Sequence, residues 1–133
     1  LDDGTLALAQ LHGQEDESYI RELKTYTDKL IIKAFSIKTA EDIEKALQSP
    51  ADYILLDQGG GGTGKTFDWS LIPEIQRPFF LAGGIGASNL GQAIREIHPY
   101  AVDLSSSVET EKRKDPMKIR QVVDIVREIK IIN

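Results

Sequence analysis

Five short apolar runs punctuate the chain, at Leu6 to Leu11, Leu30 to Phe35, Tyr53 to Leu56, Phe79 to Ala82 and Ala101 to Leu104. Their C-terminal ends lie 24, 21, 26 and 22 residues apart, so each run belongs to a repeating unit. Continuous apolar runs of this length are what strands covered on both faces look like. Between them the spacing turns helical. Tyr19, Ile20 and Leu23 follow the acidic Glu15-Asp16-Glu17, and Ile43, Ala46 and Leu47 follow Thr39, with Glu41 and Asp42 in the first turn, where negative charge suits a helix N-terminus. Ser88 is the expected N-cap of a helix carrying Leu90, Ala93, Ile94 and Ile97. Asp115-Pro116 opens another with Ile119, Val122, Val123, Val126 and Ile129. Strand and helix in alternation predict parallel strands joined by helical crossovers in a single α/β domain over residues 1–133, either a doubly wound sheet or a TIM barrel.

The barrel is favoured by where the polar residues fall. They gather at the strand C-termini: Gln10 with His12-Gly13, Lys33, Asp57 before a glycine-rich stretch, Gly83-Gly84, and Asp103 with Ser105-Ser106. In (β/α)₈ enzymes that end carries the chemistry, and the loops after the last two strands often hold a phosphate. Gly83, Gly84, Ser105 and Ser106 occupy those two loops, where glycine lets backbone amides approach an anion without an intervening side chain. A five-stranded flavodoxin-like domain is the alternative, but the glycine-rich first βα loop expected for its phosphate site is absent at His12-Gly13. A closed barrel needs eight units and this chain has five, which predicts an incomplete barrel lacking three units, roughly 70 residues at this spacing. With the apolar Ile129 to Ile132 reading as a finish, and Leu1 opening the chain without an initiator, the gap is expected at the front.

Composition narrows the chemistry. The chain has 133 residues, 41% hydrophobic and 28% charged, with a net charge of −5, which leaves no footprint for nucleic acid. Lys112-Arg113-Lys114 is too short to supply one and reads as a solvated turn. There is no apolar stretch long enough to span a membrane and no leader-like segment, so a cytoplasmic location is expected. Cysteine is absent, and His12 and His98 show no metal-ligand spacing with carboxylates, so neither disulfide nor metal is expected, and no cofactor. Gly59 to Thr66 matches the phosphate-binding pattern G-x-x-x-x-G-K-[ST] letter for letter. That pattern requires a helix starting at the lysine, whereas Thr66 is followed within seven residues by Pro73, which leaves under two turns. A nucleotide-binding reading is therefore disfavoured.

Several blocks together carry a family resemblance: Gln10-Leu11-His12-Gly13 with Glu15, Lys33-Ala34, Leu55-Leu56-Asp57, Gly61-Gly62-Thr63-Gly64-Lys65-Thr66-Phe67-Asp68-Trp69, Leu81-Ala82-Gly83-Gly84, and Val102-Asp103-Leu104-Ser105-Ser106 through Val108-Glu109 to Lys114-Asp115. In order and spacing they resemble the fourth to eighth βα units of phosphoribosylanthranilate isomerases of tryptophan biosynthesis. The resemblance implies an Amadori rearrangement of N-(5-phosphoribosyl)anthranilate, a phosphosugar, with Asp57 as the acid that opens the sugar ring. It implies substrate contacts from Gln10, His12 and Asp103, and phosphate binding by Gly83, Gly84, Ser105 and Ser106. The family's base is a cysteine on the first barrel strand, which this sequence lacks, so the segment alone is expected to be inactive. The partners expected are a complementing N-terminal segment or further copies in a homo-oligomer, and the alternative reading is a catalytically incomplete phosphate-binding barrel fragment or assembly module. Phe67 and Trp69 are expected to pack beneath the glycine loop. Ser107 stands where the family pattern has glycine, and the segment before Lys114-Asp115 lacks its usual Pro-Gly.

Overall fold

In a computed structural model, which describes residues 2–58, 69 and 72–132, the five runs form one parallel sheet. The strands are β1 (Leu8–Leu11), β2 (Leu30–Ser36), β3 (Tyr53–Asp57), β4 (Phe79–Ala82) and β5 (Ala101–Asp103). Helices α1 (Glu17–Tyr26), α2 (Ala40–Leu47), α3 (Leu90–Ile97) and α4 (Pro116–Ile132) alternate with them. A short hairpin, β6 (Glu109–Thr110) and β7 (Arg113–Lys114), sits between β5 and α4 behind a 3₁₀ turn at Ser106–Val108. No α-helix stands between β3 and β4 among the described residues, and the glycine-rich stretch Gly59 to Asp68 lies outside them.

Strand order differs from that of the flavodoxin-like alternative. The sheet runs β1-β2-β3-β4-β5, each strand parallel to the next. A flavodoxin-like sheet would reverse direction around its first strand, giving the order 2-1-3-4-5. Side-chain alternation then assigns the two faces. Ile31, Ile54, Leu56, Phe79 and Leu81 point to one face and pack with helix residues, Ile31 with Ile20 of α1, the others with Ile43, Ala46, Leu90, Ala93 and Val122. On the other face Ile32, Leu55 and Ala82, with Ala34, Tyr53 and Phe80, form a separate cluster without a helix residue. Among the described residues the helices pack on one side of this sequentially ordered parallel sheet. Tyr53, Phe80 and Tyr100 cluster at the strands' N-terminal end, ring centroids 5.6 to 6.1 Å apart, with Tyr100 stacked on both other rings.

Local chemistry explains the helix starts. The Asp16 carboxylate accepts from the Tyr19 amide at 2.9 Å and caps α1. Thr39 and Asp42 form a reciprocal capping box on α2, with Asp42 accepting from the Lys38 and Thr39 amides at 2.9 and 3.0 Å. Those amides hold the Asp42 carboxyl below its ordinary value. Helix α4 begins at Pro116 as its sequence predicts, and the Asp115 carboxylate accepts from the Met117 amide at 2.9 Å. For α3 the expectation is corrected: the cap is Asn89, one residue beyond Ser88, and its side chain does not bond to the helix. Arg77, just ahead of β4, ties down the end of α2 by donating to the carbonyls of Leu47, Ser49 and Ala51 at 3.1, 3.0 and 2.7 Å.

Candidate functional site

Asp57, Asp103 and the Gly83-Gly84 and Ser105-Ser106 loops lie together at the C-terminal ends of β3, β4 and β5. Register aligns Ser36, Asp57, Ala82 and Asp103 across four adjacent strands. Side chains in one register row share a face, so the carboxylates of Asp57 and Asp103 rise from the helix-free face with only Ala82 between them. At the usual strand spacing their backbones are about 10 Å apart, enough for a small ligand between the two. Asp57 is half-buried and Asp103 exposed. The Asp57 carbonyl is held by the Ile37 amide at 2.8 Å, and the Gln58 amide donates to the Ala82 carbonyl at 3.1 Å, so β3 and β4 stay in step up to the point where Asp57 projects.

Each neighbouring loop has a reason for its sequence. Gly83 and Gly84 follow Ala82 directly, with φ of 88° and 66°, the left-handed region that side chains disfavour. The Asn89 side chain turns back into this loop. Its Oδ1 accepts from the Gly86 amide and its Nδ2 donates to the Gly84 carbonyl, both at 2.9 Å. Ser105 and Ser106 follow β5 and are exposed. The Ser105 carbonyl accepts from the Val108 amide at 3.3 Å and from Lys114 Nζ at 3.1 Å. Lys114 also reaches Ser105 Oγ and pairs with the Glu109 carboxylate opposite it in the hairpin. Asp115 anchors the hairpin to α4. Its amide donates to the Val108 carbonyl, and its carboxylate accepts from the Thr110 hydroxyl at 2.7 Å; that hydroxyl first, then the Met117 amide, keep its carboxyl below the ordinary value.

Gln10 and His12 lie apart from this row. Gln10 shares the helix-free face but registers with Ile32, which pairs with Tyr53, four residues before Asp57. His12 is exposed just beyond β1. Lys33 corrects the strand-end reading, since register sets it beside Leu11 and Ile54 on the helix-facing side. Its side chain is only 5% exposed. The ammonium donates to the Gly13 carbonyl and to Glu15 Oε2, each at 2.9 Å, and the same carboxylate oxygen accepts from the Gly13 amide at 2.8 Å. Lys33 thus fixes the loop that carries His12. Its hydrogen bond pulls the Glu15 carboxyl down to about 2.

A family model described as N-(5'-phosphoribosyl)anthranilate (PRA) isomerase matches residues 2–125. The chain belongs to that family. It is 45% identical over 132 residues to the N-(5'-phosphoribosyl)anthranilate isomerase of Endomicrobium trichonymphae, covering 96% of this chain and 64% of that relative. The phosphoribosyl anthranilate isomerase structure from Thermotoga maritima superposes with a TM-score of 0.77 at 36% identity, covering 92% of this chain and 62% of that one. An isomerase structure in complex with reduced 1-(o-carboxyphenylamino)-1-deoxyribulose 5-phosphate gives 0.74 at 34% identity, covering 92% and 60%. The chain therefore spans under two thirds of the length of these relatives.

The isomerase family accounts for the parallel α/β sheet, and the departures from its pattern can be read locally. At Ser107, where the family pattern has glycine, the side-chain Cβ lies 3.0 Å from where a Cβ on Gly86 would sit, so the added side chain occupies room that Gly86 leaves open. The hairpin turn lacking Pro-Gly is made by Glu111 and Lys112 at φ of 52° and 64°. Lys112 is the exposed turn residue its sequence suggests, whereas Lys114 is tied into the loop after β5. Trp69 packs against the main core and its indole N–H donates to Gln58 Oε1 at 3.1 Å, in keeping with a packing role; Phe67 lies outside the described residues. No helix among the described residues is long and apolar enough to cross a membrane.

Proposed function

We propose that this chain is the fourth to eighth βα units of a (β/α)₈ isomerase that converts N-(5-phosphoribosyl)anthranilate to 1-(2-carboxyphenylamino)-1-deoxyribulose 5-phosphate. The observation that carries this reading is the register row that sets Asp57 and Asp103 on one face beside the Gly83-Gly84 and Ser105-Ser106 loops. The reaction needs an acid and a base. Asp57 gives its proton to the furanose ring oxygen while the nitrogen lone pair forms a C1=N bond and the C1–O bond breaks. A base then takes the proton from C2, the electrons move through C1 to nitrogen, and the resulting enol becomes the ketone as C1 gains a proton. No atom is gained or lost. Asp103 lies on the sugar side, Gln10 and His12 line the far wall, and the amides of Gly83, Gly84 and Ser106, with the hydroxyls of Ser105 and Ser106, take the phosphate. Backbone amides and hydroxyls suit that task because they donate to a dianion without a counter-charge.

The base belongs to a cysteine on a strand this chain does not contain, so the 133 residues bind the phosphosugar and do not turn it over until the first three units complete the barrel. The reading is tested by titrating the ¹⁵N-labelled chain with ribose 5-phosphate. Amide shifts confined to Gly83, Gly84, Ser105, Ser106 and their neighbours support it. Shifts scattered over the surface, or none at millimolar ligand, contradict it.

A further inference from the structure

The Lys114 ammonium has three N–H donors and three acceptors within reach: the Ser105 carbonyl at 3.1 Å, Ser105 Oγ at 3.4 Å, and the Glu109 carboxylate. All three acceptors belong to the loop after β5 and to the hairpin. We propose that Lys114 is a positioning residue for the phosphate site, acting on the backbone of the Ser105–Ser106 loop and not on the phosphate itself. The inference rests on the phosphate reading given above. It follows from the planarity of the peptide unit, in which C=O and N–H point in opposite directions. Holding the Ser105 carbonyl therefore sets the direction of the Ser106 N–H, one of the amides assigned to the phosphate.

The lysine can do this because it is itself held. Glu109 and Lys114 are register partners in the β6–β7 hairpin. The hairpin is fastened to α4 by Thr110 to Asp115 and by Lys118 Nζ, which donates to the Glu109 carbonyl at 2.7 Å. Glu109 is then the far anchor of the device, and its charge makes the proposal separable from a simple electrostatic one. A carboxylate near a dianionic phosphate repels it, so if Lys114 served only as a positive charge, Glu109→Gln would tighten phosphate binding. If Lys114 positions the loop, the same change frees the ammonium and weakens binding.

The experiment is the ribose 5-phosphate titration of the 133-residue chain and of its Lys114→Met, Lys114→Arg and Glu109→Gln variants, read at the Ser105, Ser106, Gly83 and Gly84 amides. We expect Lys114→Met to weaken binding about tenfold, the worth of one amide hydrogen bond to a charged ligand. Glu109→Gln should weaken it by a smaller factor in the same direction, and Lys114→Arg, which can still span carbonyl and carboxylate, should recover most of the affinity. The Ser106 amide should move in the unliganded spectra of the first two variants while those of Gly83 and Gly84 stay. Tighter binding by Glu109→Gln, or unchanged binding by Lys114→Met, overturns the proposal. Absence of binding by the unaltered chain overturns the phosphate site and the proposal with it.

Discussion

Lys33 illustrates how a residue of the wrong polarity becomes useful inside a sheet. A buried ammonium is tolerated only when its donors are used, and here the Gly13 carbonyl and the Glu15 carboxylate use them while the ammonium nitrogen itself lies 5.9 Å from the Phe35 ring centroid. The sequence marks Lys33 as unusual without revealing its face, because only the register with Leu11 and Ile54 turns it away from the site. Asn89 and Lys114 escaped the sequence reading for related reasons. Ser88 and Asn89 are both good caps, and no local rule chooses between neighbours; a charged run reads as solvated until a partner such as the Ser105 carbonyl is seen. The placement of Asp57, Asp103, Gly83 and Gly84 at strand C-termini was legible, since the apolar runs before them mark where the strands end. Glu15 gives a test at this scale. Its carboxyl is depressed from 4.5 to about 2, so its contribution to stability is whole above the ordinary value and is lost as pH falls through about 2. Glu15→Gln should therefore be less stable than the unaltered chain near neutral pH, with the gap between their urea midpoints closing as pH falls from 4.5 toward 2. A gap that stays constant over that window would contradict the assignment.

The elements follow from the apolar period where they are long and from tertiary partners where they are short. The four-residue run at Phe79–Ala82 is a strand with the bounds its sequence suggests, and β3 extends one residue further to include Asp57. Helix α2 begins directly after its cap Thr39 because the Thr39–Asp42 box satisfies amides that would otherwise lack partners. At eight residues it has little helix to spare, so Thr39→Ala should cost about 1 kcal/mol in chemical denaturation, and a loss below the error of that measurement would mean the packing of Ile43 and Ala46 sets this boundary by itself. The hairpin β6–β7 was not legible. Strands of two residues carry no period, and its turn uses Glu111 and Lys112 at positive φ in place of the glycine that would announce it. Arg77 was equally silent, because its three carbonyl acceptors lie 26 to 30 residues earlier in the chain.

At the scale of the molecule, the five strands run in sequential order and the described helices pack on one side of the sheet. Among the described residues β1 and β5 each pair with a single strand, and the large apolar side chains Leu6, Leu8, Leu30 and Tyr100 are between 39% and 63% exposed. Unpaired parallel edges beside exposed apolar side chains are unfavourable in water and invite further strands. On the present account those strands are the first three units of the same barrel, which bring the base that this cysteine-free chain lacks, while Asp57 supplies the acid. The most direct test is the rate of product formation from N-(5-phosphoribosyl)anthranilate when the chain is mixed with a segment carrying the first three βα units of a related isomerase, measured for the unaltered chain and for Asp57→Asn. The account predicts no turnover by the chain alone, turnover by the mixture, and a loss of at least about 100-fold with Asp57→Asn, the ordinary worth of a general acid. Turnover by the mixture that survives Asp57→Asn undiminished would contradict it.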